Sequence, residues 1–282
     1  MAVISGLYTV LSKHTLKTIS PWVLFWSVMV VSTPIIFLFT WQNGIPALGR
    51  AFFVGVFGSV IFYSVSKIIF YRVIKETDLS HVYPLITLSP VFSLIFAIFL
   101  LGERPTALEL LAGGITLFGV YVLNISSIRE GLLEPFKILA KSRMAMLMLL
   151  SVALIGAPPV FDKFAISSTF PQNTSFVLVV EDLMVVLLMF PWVWKHRTVA
   201  FPQIKENKKY LLWLGILGAF SNIAGFWALG HGEASLVTSV FRTQVFFVFL
   251  FSFLFFKDRP RAETIVGTTI MIIGLIVLKL VS

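Results

Sequence analysis

The sequence predicts an all-α integral membrane protein of about ten transmembrane helices, arranged as two inverted five-helix repeats. Three observations predict this fold class. Apolar residues make up 58% of the 282 residues and charged residues only 12%, with a mean hydropathy of +0.95, whereas soluble domains are roughly half apolar and a quarter charged. The apolar residues form blocks of bilayer-spanning length, and the second part of the chain repeats the first.

The apolar blocks lie between short polar connections. Each has about 16 to 22 residues, close to the roughly 20 that a helix needs to cross a hydrocarbon core. Backbone polar groups in lipid need partners within the segment, so the blocks predict helices. The predicted spans, numbered one to ten, are residues 1–16, 22–41, 51–71, 81–101, 106–124, 144–163, 174–194, 210–230, 235–256 and 262–280.

The chain matches itself at a shift of 155 positions. Agreement at one register in three pairs of helices indicates a duplication. Each copy has an odd number of spans, so the second copy enters the membrane upside down, and such inverted repeats place a substrate site at their interface near the midplane. The coinciding segments are 102–105 with 257–260, 66–68 with 221–223, and 119–123 with 274–278.

The duplication sets the predicted domain boundaries. The first five-helix repeat covers residues 1–125, a polar linker covers 126–143, and the second repeat covers 144–282. Ser12 and Lys13 match Asp162 and Lys163 at a shift of 150, so the start of span six maps upstream of Met1. We therefore expect the first helix to be truncated at its start by about one and a half turns.

The basic residues predict the orientation and exclude one class of partner. Sixteen Lys and Arg residues lie in the odd-numbered connections and four, Arg50, Arg104, Lys163 and Lys279, on the opposite side. Because cytoplasmic loops carry the excess of basic residues, both termini are predicted outside. Basic residues spread over short loops of a membrane protein set its topology, so the net charge of +9 does not indicate a nucleic-acid partner.

Enzyme chemistry finds no support in the sequence. The chain has no cysteine, which excludes disulfides and thiolate sites. It contains no HExxH, GxSxG or Walker pattern. We therefore predict a non-enzyme with no catalytic residues, no metal site and no cofactor.

Short motifs at several helix ends resemble the EamA type of the drug/metabolite transporter superfamily. They are LGERP and FKDRP at the ends of spans four and nine, LYTVLSK and PPVFDKFA at the ends of spans one and six, and AGGITLFGVYVL in span five. The resemblance covers nearly the whole chain. It implies a helix bundle with inverted halves and a central cavity, moving amino acids or related small polar compounds, with both termini cytoplasmic rather than outside.

Ionisable side chains inside the spans are the first candidates for function, because a charge at bilayer depth costs on the order of 3 kcal/mol or more. Arg242 in span nine is predicted either to anchor an anionic substrate group or to pair with Glu181 or Asp182 in span seven. Glu181 is also a candidate for proton coupling. None of the three has a charged counterpart in the other repeat, which favours function over scaffold. Adjacent residues on a helix point about 100° apart, so Glu181 and Asp182 are not expected to face one cavity together.

Three further polar residues are candidate substrate ligands: Lys67 in span three, Asn222 in span eight and Gln244 in span nine. The alternatives are a Lys67 side chain that extends to the interface and amides that only join helices. The site is predicted between spans three, four, seven, eight and nine.

Prolines inside two spans are candidate gating hinges. Pro84 and Pro90 lie in span four, and Pro158 and Pro159 lie in span six. Because proline removes a backbone donor, we expect kinks at these positions, with a static bend as the alternative to a hinge.

Together these features predict a multi-pass secondary transporter in the cell membrane, either exporter or facilitator, working by alternating access. Its partners would be the lipid bilayer and a small polar metabolite such as an amino acid, with protons as a candidate coupling ion. The alternatives are a lipid-linked carrier or flippase on the same scaffold and a non-transporting structural subunit. The sequence leaves the oligomeric state open.

Overall fold

The computed structural model describes residues 2–40, 44–102, 106–123, 125, 137, 140–231 and 244–279. Their long apolar runs are helical, because a helix satisfies the backbone N–H and C=O groups within the segment itself. The helices are α1 (Ala2–Thr15), α2 (Pro21–Thr40), α3 (Phe52–Glu76), α4 (Leu79–Val82), a 3-10 helix (Tyr83–Leu88), α5 (Ser89–Leu101), α6 (Ala107–Val122), α7 (Arg143–Ile155), α8 (Pro158–Ser167), α9 (Thr174–Lys195), α10 (Arg197–His231), α11 (Gln244–Phe256) and α12 (Ala262–Lys279). Two short strands, β1 (Ala47–Leu48) and β2 (Thr169–Phe170), pair antiparallel.

Several helical segments of the described residues are long and apolar enough to cross a bilayer. The five that meet both criteria are Pro21–Leu38, Phe52–Glu76, Tyr83–Leu100, Arg143–Ser167 and Thr174–Lys195. Shorter apolar helices lie at Leu110–Val122, Gln244–Phe256 and Ala262–Val277. The all-helical fold class is confirmed, while the full set of predicted spans stays a prediction.

Spans four and six, in which the prolines predict kinks, are each divided into separate helices. Span four is divided into α4, the 3-10 helix and α5, with Pro84 and Pro90 each in the first turn of its element. Span six is divided at Gly156 and Ala157, and Pro158 is the first residue of α8. Proline lacks the N–H that a helix interior uses but is well suited to a first turn, so it begins a new helix here instead of bending one.

The two divided spans contact each other at their breaks. A Cβ atom on Gly156 would lie 2.7 Å from the Cβ atom of Phe92 and 2.8 Å from the backbone nitrogen of Ser93, so glycine permits this close approach. The Ser93 hydroxyl donates a 2.7 Å hydrogen bond to the carbonyl of Gly156. This bond gives a partner to a carbonyl at the end of α7, which an interrupted helix in lipid requires.

Two helices extend beyond their predicted spans. Helix α3 continues to Glu76, and α10 begins at Arg197 and so includes residues 197–209, predicted as a connection. Lys, Glu, Gln and Arg are good helix formers, and a polar end of a helix is stable once it leaves the hydrocarbon. Hydropathy alone therefore predicts both helices too short.

Helices from the two parts of the chain pack against each other in matched pairs. Equivalent positions at the repeat register bring α2 against α9 and α6 against α12. Along α2, Trp26 Nε1 donates to the carbonyl of Val186 at 3.1 Å, and Ser32 Oγ donates to Asp182 at 3.2 Å. The partner number falls as the α2 number rises, so the two helices run antiparallel.

The α6–α12 pair has the same antiparallel arrangement at closer range. A Cβ on Gly119 would lie 2.7 Å from the Gly267 carbonyl oxygen, and one on Gly274 would lie 2.9 Å from the Ala112 carbonyl oxygen. At the register of 155, Gly119 corresponds to Gly274 and Ala112 to Gly267. The two contacts are therefore equivalent at the repeat register, and in both of them backbone packs against backbone.

The two ends of the helix bundle differ in their polar contacts. At one end the basic connections meet: Lys13 Nζ donates to the Thr77 carbonyl at 2.9 Å and lies 3.5 Å from Asp78. At the same end Asp258 accepts hydrogen bonds from the Ser80 hydroxyl at 2.5 Å and the Ser252 hydroxyl at 3.1 Å. We call this end the basic face.

The opposite end is closed by the short sheet. There β1 joins the connection after α2 to the connection after α8 through its pairing with β2. The backbone N–H of Gly49 adds a 2.7 Å hydrogen bond to the Ser168 carbonyl. Among the described residues, the connections after α1, α3 and α11 thus lie at one end of the bundle, and those after α2 and α8 lie at the other.

Candidate functional site

A cavity of about 100 Å³ lies between α3, α8, α9 and α10. Its wall combines apolar side chains with acids, and it brings together residues that are far apart in the sequence. The lining residues are Ser59, Val60 and Tyr63 of α3, Pro158 and Asp162 of α8, Leu178, Glu181, Asp182 and Val185 of α9, and Asn222 of α10. Because α3 belongs to the first part of the chain and the other helices to the second, this cavity lies between the two parts.

Three carboxyl groups dominate the chemistry of the cavity. Asp162 and Glu181 are within hydrogen-bonding reach of each other, and Ser59 reaches both. Asp182 accepts a 3.2 Å hydrogen bond from the hydroxyl of Ser32 on α2. Glu181 is 9% exposed and Asp182 is 5% exposed, so these two acids lie away from bulk water, while Asp162 is half-buried.

Helix α9 positions two of the three acids. It begins at an Asn173 N-cap whose side chain accepts a 2.9 Å hydrogen bond from the backbone N–H of Phe176, and such a cap fixes the helix start. Trp26 and Ser32 then hold the middle of α9 against α2. The axial position of Glu181 and Asp182 is therefore set from both the cap and the neighbouring helix.

Glu181 and Asp182 are closer neighbours than the sequence predicts, because they were not expected to face one cavity together. Both side chains line the same cavity. The cavity extends around the side of α9, from α8 and α3 to α10, so it spans the angle between two successive side chains. Asp182 also reaches back to Ser32 on α2, so the two acids share a cavity but have different partners.

Asp162 is the functional candidate that the sequence analysis missed. The predicted boundary of span six placed it one residue from a helix end, where a charge is unremarkable, but α8 continues to Ser167 and carries it into the cavity. A signal was present, since its counterpart in the repeat is the uncharged Ser12. Ser59 and Tyr63 are also new lining residues.

Lys67 and Gln244 do not join this cavity. Lys67 lines a separate cleft of about 30 Å³ with Ser66, Ser151 and apolar neighbours. Its Nζ lies 5.5 Å from the ring centroid of Tyr63 and 5.6 Å from that of Phe70. Gln244 is buried at the start of α11, outside the lining.

The remaining predicted site residues have different outcomes. Asn222 lines the cavity, as does Pro158. This cavity thus lies among spans three, six, seven and eight, whereas the sequence predicts a site between spans three, four, seven, eight and nine. Arg242 lies outside the described residues.

A chain of tyrosines lies beside the cavity. The hydroxyl of Tyr8 on α1 is hydrogen-bonded to that of Tyr71 on α3. Thr9, the next residue on α1, is 3.3 Å from the Tyr83 hydroxyl and donates to the Ser5 carbonyl at 2.9 Å. These contacts join α1, α3 and the 3-10 helix between the cavity and the basic face.

Comparison with known proteins agrees with this architecture. The model of the EamA-like transporter family matches residues 1–125 and again 142–280. The chain belongs to the EamA-like transporter family. It is therefore an integral membrane protein of the drug/metabolite transporter superfamily, as the helix-end motifs imply. One solved crystal structure is similar to this EamA-like chain with a TM-score of 0.58 and 14% identity, over 99% of this chain and 97% of that one, which shows a shared fold. No curated protein matches the sequence.

Proposed function

We propose that this EamA-like protein is a secondary transporter of a small polar metabolite, such as an amino acid, and acts without enzyme chemistry in the cell membrane. The observation that carries the proposal is the acid-lined cavity between its two parts. Buried carboxyl groups are costly in a membrane and are retained where they meet a substrate or an ion. Membership of a transporter family supports the same conclusion.

Alternating access by two inverted five-helix repeats, 1–125 and 144–282 with the linker 126–143, is the proposed mechanism. The antiparallel packing of α2 with α9 and of α6 with α12 supports it, because equivalent helices of inverted repeats run in opposite directions. Such repeats expose a site between them to one side of the membrane at a time by rocking one bundle against the other.

The divided spans are the proposed moving parts. Pro158 and Pro159 begin α8 next to the cavity, and the break before them contacts Ser93 just after Pro90. Pro84 begins the 3-10 helix on the other side of that contact. An interrupted helix of this kind can change its backbone angles at lower cost than a continuous helix.

Uptake and counterflow in proteoliposomes test the transport proposal. The panel contains amino acids, organic acids and cationic drugs, each with and without a proton gradient. Val185→Trp fills the cavity from its wall, so we expect it to abolish saturable flux. Leu187→Trp, on the same helix but 60% exposed on its outer side, is the matched control and should keep the flux.

Two results would contradict parts of this proposal. Equal flux in Val185→Trp and wild type would remove the cavity from the path, and no saturable flux for any solute would contradict transport. The same assay tests the proposed anion anchor: Arg242→Ala should weaken only substrates that carry a carboxylate or phosphate.

A further inference from the structure

We infer that the cavity binds a cation, namely the protonated amine of the transported molecule, held between the carboxyl groups of Asp162 and Glu181. This inference rests on the proposed transport function and names the substrate class for it. It follows from the hydrogen bonding, the charge and the size of the cavity, taken in turn.

Two of the acid oxygens in the cavity have no hydrogen-bond donor among the described residues. These are Asp162 Oδ1 and Glu181 Oε1, both buried. Glu181 is more than nine-tenths buried and lines the cavity. An acceptor that is removed from water and left without a donor costs about 1–3 kcal/mol, and more when it is charged. A ligand that supplies N–H donors at this position removes that cost.

The charges around the pair favour a positive ligand. Asp182 adds a third carboxyl group to the wall, while Tyr63, Ser59 and Asn222 contribute uncharged groups. No basic side chain lines this cavity in the part of the chain that the structure describes. The neighbouring Lys67 lines a different cleft, with its Nζ over aromatic rings.

Two adjacent carboxyl groups in a low-dielectric site cannot both be ionised without a cation between them. In the empty cavity, therefore, Asp162 and Glu181 share one proton. When an ammonium group enters, it replaces this proton, which leaves for bulk water, and the total charge of the occupied site is unchanged. Binding of an amine is thus linked to release of a proton.

The size and the walls select the kind of cation. A site of about 100 Å³ is smaller than the roughly 150 Å³ cavity that holds a benzene ring, so it suits an ammonium head with a short alkyl group. Val60, Leu178 and Val185 provide apolar contact for that group. Tyr63 lines the same cavity, and aromatic side chains attract organic cations. A hydrated metal ion would gain nothing from these walls.

The test is calorimetric binding to the purified full-length protein in detergent, at neutral pH and constant ionic strength. The probes are n-propylammonium, tetramethylammonium and propionate. We expect the two cations to bind saturably and propionate not to bind. Titrations in two buffers with different ionisation enthalpies should show proton release when n-propylammonium binds, a readout that does not depend on transport.

Conservative variants locate the site. Glu181→Gln and Asp162→Asn should each weaken n-propylammonium binding at least tenfold and abolish the proton release. Glu206→Gln, an exposed acid on α10, is the matched control and should bind like wild type. Either substitution alone could prevent folding, so two variants are made. The loss of n-propylammonium binding counts only in a variant that remains monodisperse by gel filtration.

The outcomes separate this inference from the transport proposal. Binding of propionate instead of the cations, or cation binding unaffected in both acid variants, overturns the inference. If amino acids or organic acids are carried while no cation binds, the inference fails and transport stands. If the cations bind through Glu181 but no solute is carried, the cation site stands and transport fails.

Discussion

Asp258 joins the two parts of the chain at the basic face, where single contacts have their clearest consequences. Its carboxylate accepts hydrogen bonds from Ser80, before the 3-10 helix, and from Ser252 on α11. Burial opposes ionisation of Asp258, but the hydrogen bonds from Ser80 and Ser252 and the nearby charge of Lys13 outweigh it and lower the pKa of this carboxyl group. The charged form is therefore the one that stabilises the fold.

The first residue-scale prediction concerns Asp258→Asn. Because the folded pKa lies below the unfolded value, the carboxylate stabilises the fold above the unfolded pKa of about 3.9, and this contribution is lost as the pH falls through the folded pKa. We expect the variant to unfold with a free energy lower by about 1 kcal/mol at pH 7, a value reduced for partial exposure. The difference in melting temperature from wild type should persist to pH 5 and shrink below about pH 4.

Asp78→Asn is the matched control for this prediction. Asp78 also contacts Lys13, but at 3.5 Å and with a side chain that is 63% exposed. Its removal should change the melting temperature much less, since exposed ion pairs contribute little. Equal effects from the two variants would show that charge near Lys13, rather than the hydrogen bonds to Ser80 and Ser252, stabilises this face.

At the scale of helices, length and hydropathy were good guides where the chain is uniformly apolar. The predicted spans 174–194 and 22–41 agree within about one residue with α9 (Thr174–Lys195) and α2 (Pro21–Thr40). Hydropathy did not show the breaks in spans four and six, although the prolines there predicted an interruption of the helix. Hydropathy indicates whether a segment lies in an apolar environment. A break within the segment depends instead on whether its free backbone carbonyls have hydrogen-bond donors, as the Gly156 carbonyl has in the Ser93 hydroxyl.

The second prediction, at this scale, concerns the α6–α12 pair. In Gly119→Ala the new methyl group would lie 2.7 Å from the backbone oxygen of Gly267 and 2.8 Å from the backbone nitrogen of Met271, so the helices must separate. Overpacking of this kind costs about 1–3 kcal/mol. A lower melting temperature in detergent is the expected result.

Gly113→Ala, on the same helix, controls for helix propensity. A Cβ at Gly113 meets nothing within 4 Å, and replacing a helical glycine with alanine stabilises a helix by roughly 0.5–1 kcal/mol. This variant should therefore melt at or slightly above the wild-type temperature. If Gly119→Ala behaves in the same way, close backbone packing does not hold α6 against α12.

At the scale of the whole molecule, the differences between the two parts of the chain point to residues that line the cavity. Unmatched charges identified Glu181 and Asp182, which line the cavity. Lys67, whose counterpart at the repeat register is the uncharged Asn222, lies in a neighbouring cleft instead. The sequence shows which helix carries a residue but not the direction in which its side chain points around the helix axis. It therefore could not distinguish a residue that lines the cavity from one that lines the cleft. Asp162 was missed for a different reason, because its helix ends later than hydropathy indicates.

The third prediction is the orientation of the molecule in the membrane. The charges of the connections predict both termini outside, whereas the resemblance to the EamA type implies cytoplasmic termini. The ends of α1, α3 and α11 meet at the basic face, so basic connections that are far apart in the sequence lie together in space. By the positive-inside rule this face is cytoplasmic and both termini are outside. The opposite end carries the β1–β2 pair and the exposed Lys163 and Arg50.

Labelling of single cysteines measures this orientation directly, and the chain has no native cysteine to remove. Lys209→Cys places an exposed thiol on the polar start of α10, at the basic face, whereas Lys163→Cys and Arg50→Cys place one at the other end. A membrane-impermeant maleimide should label Lys163→Cys and Arg50→Cys in intact cells, and Lys209→Cys only after permeabilisation. The reverse pattern would place the termini in the cytoplasm, so that the charges of the basic face do not set the topology. Labelling of all three variants in intact cells would mean that the protein inserts in both orientations. That result is expected only if the charge difference between the two ends is too weak to select a single orientation.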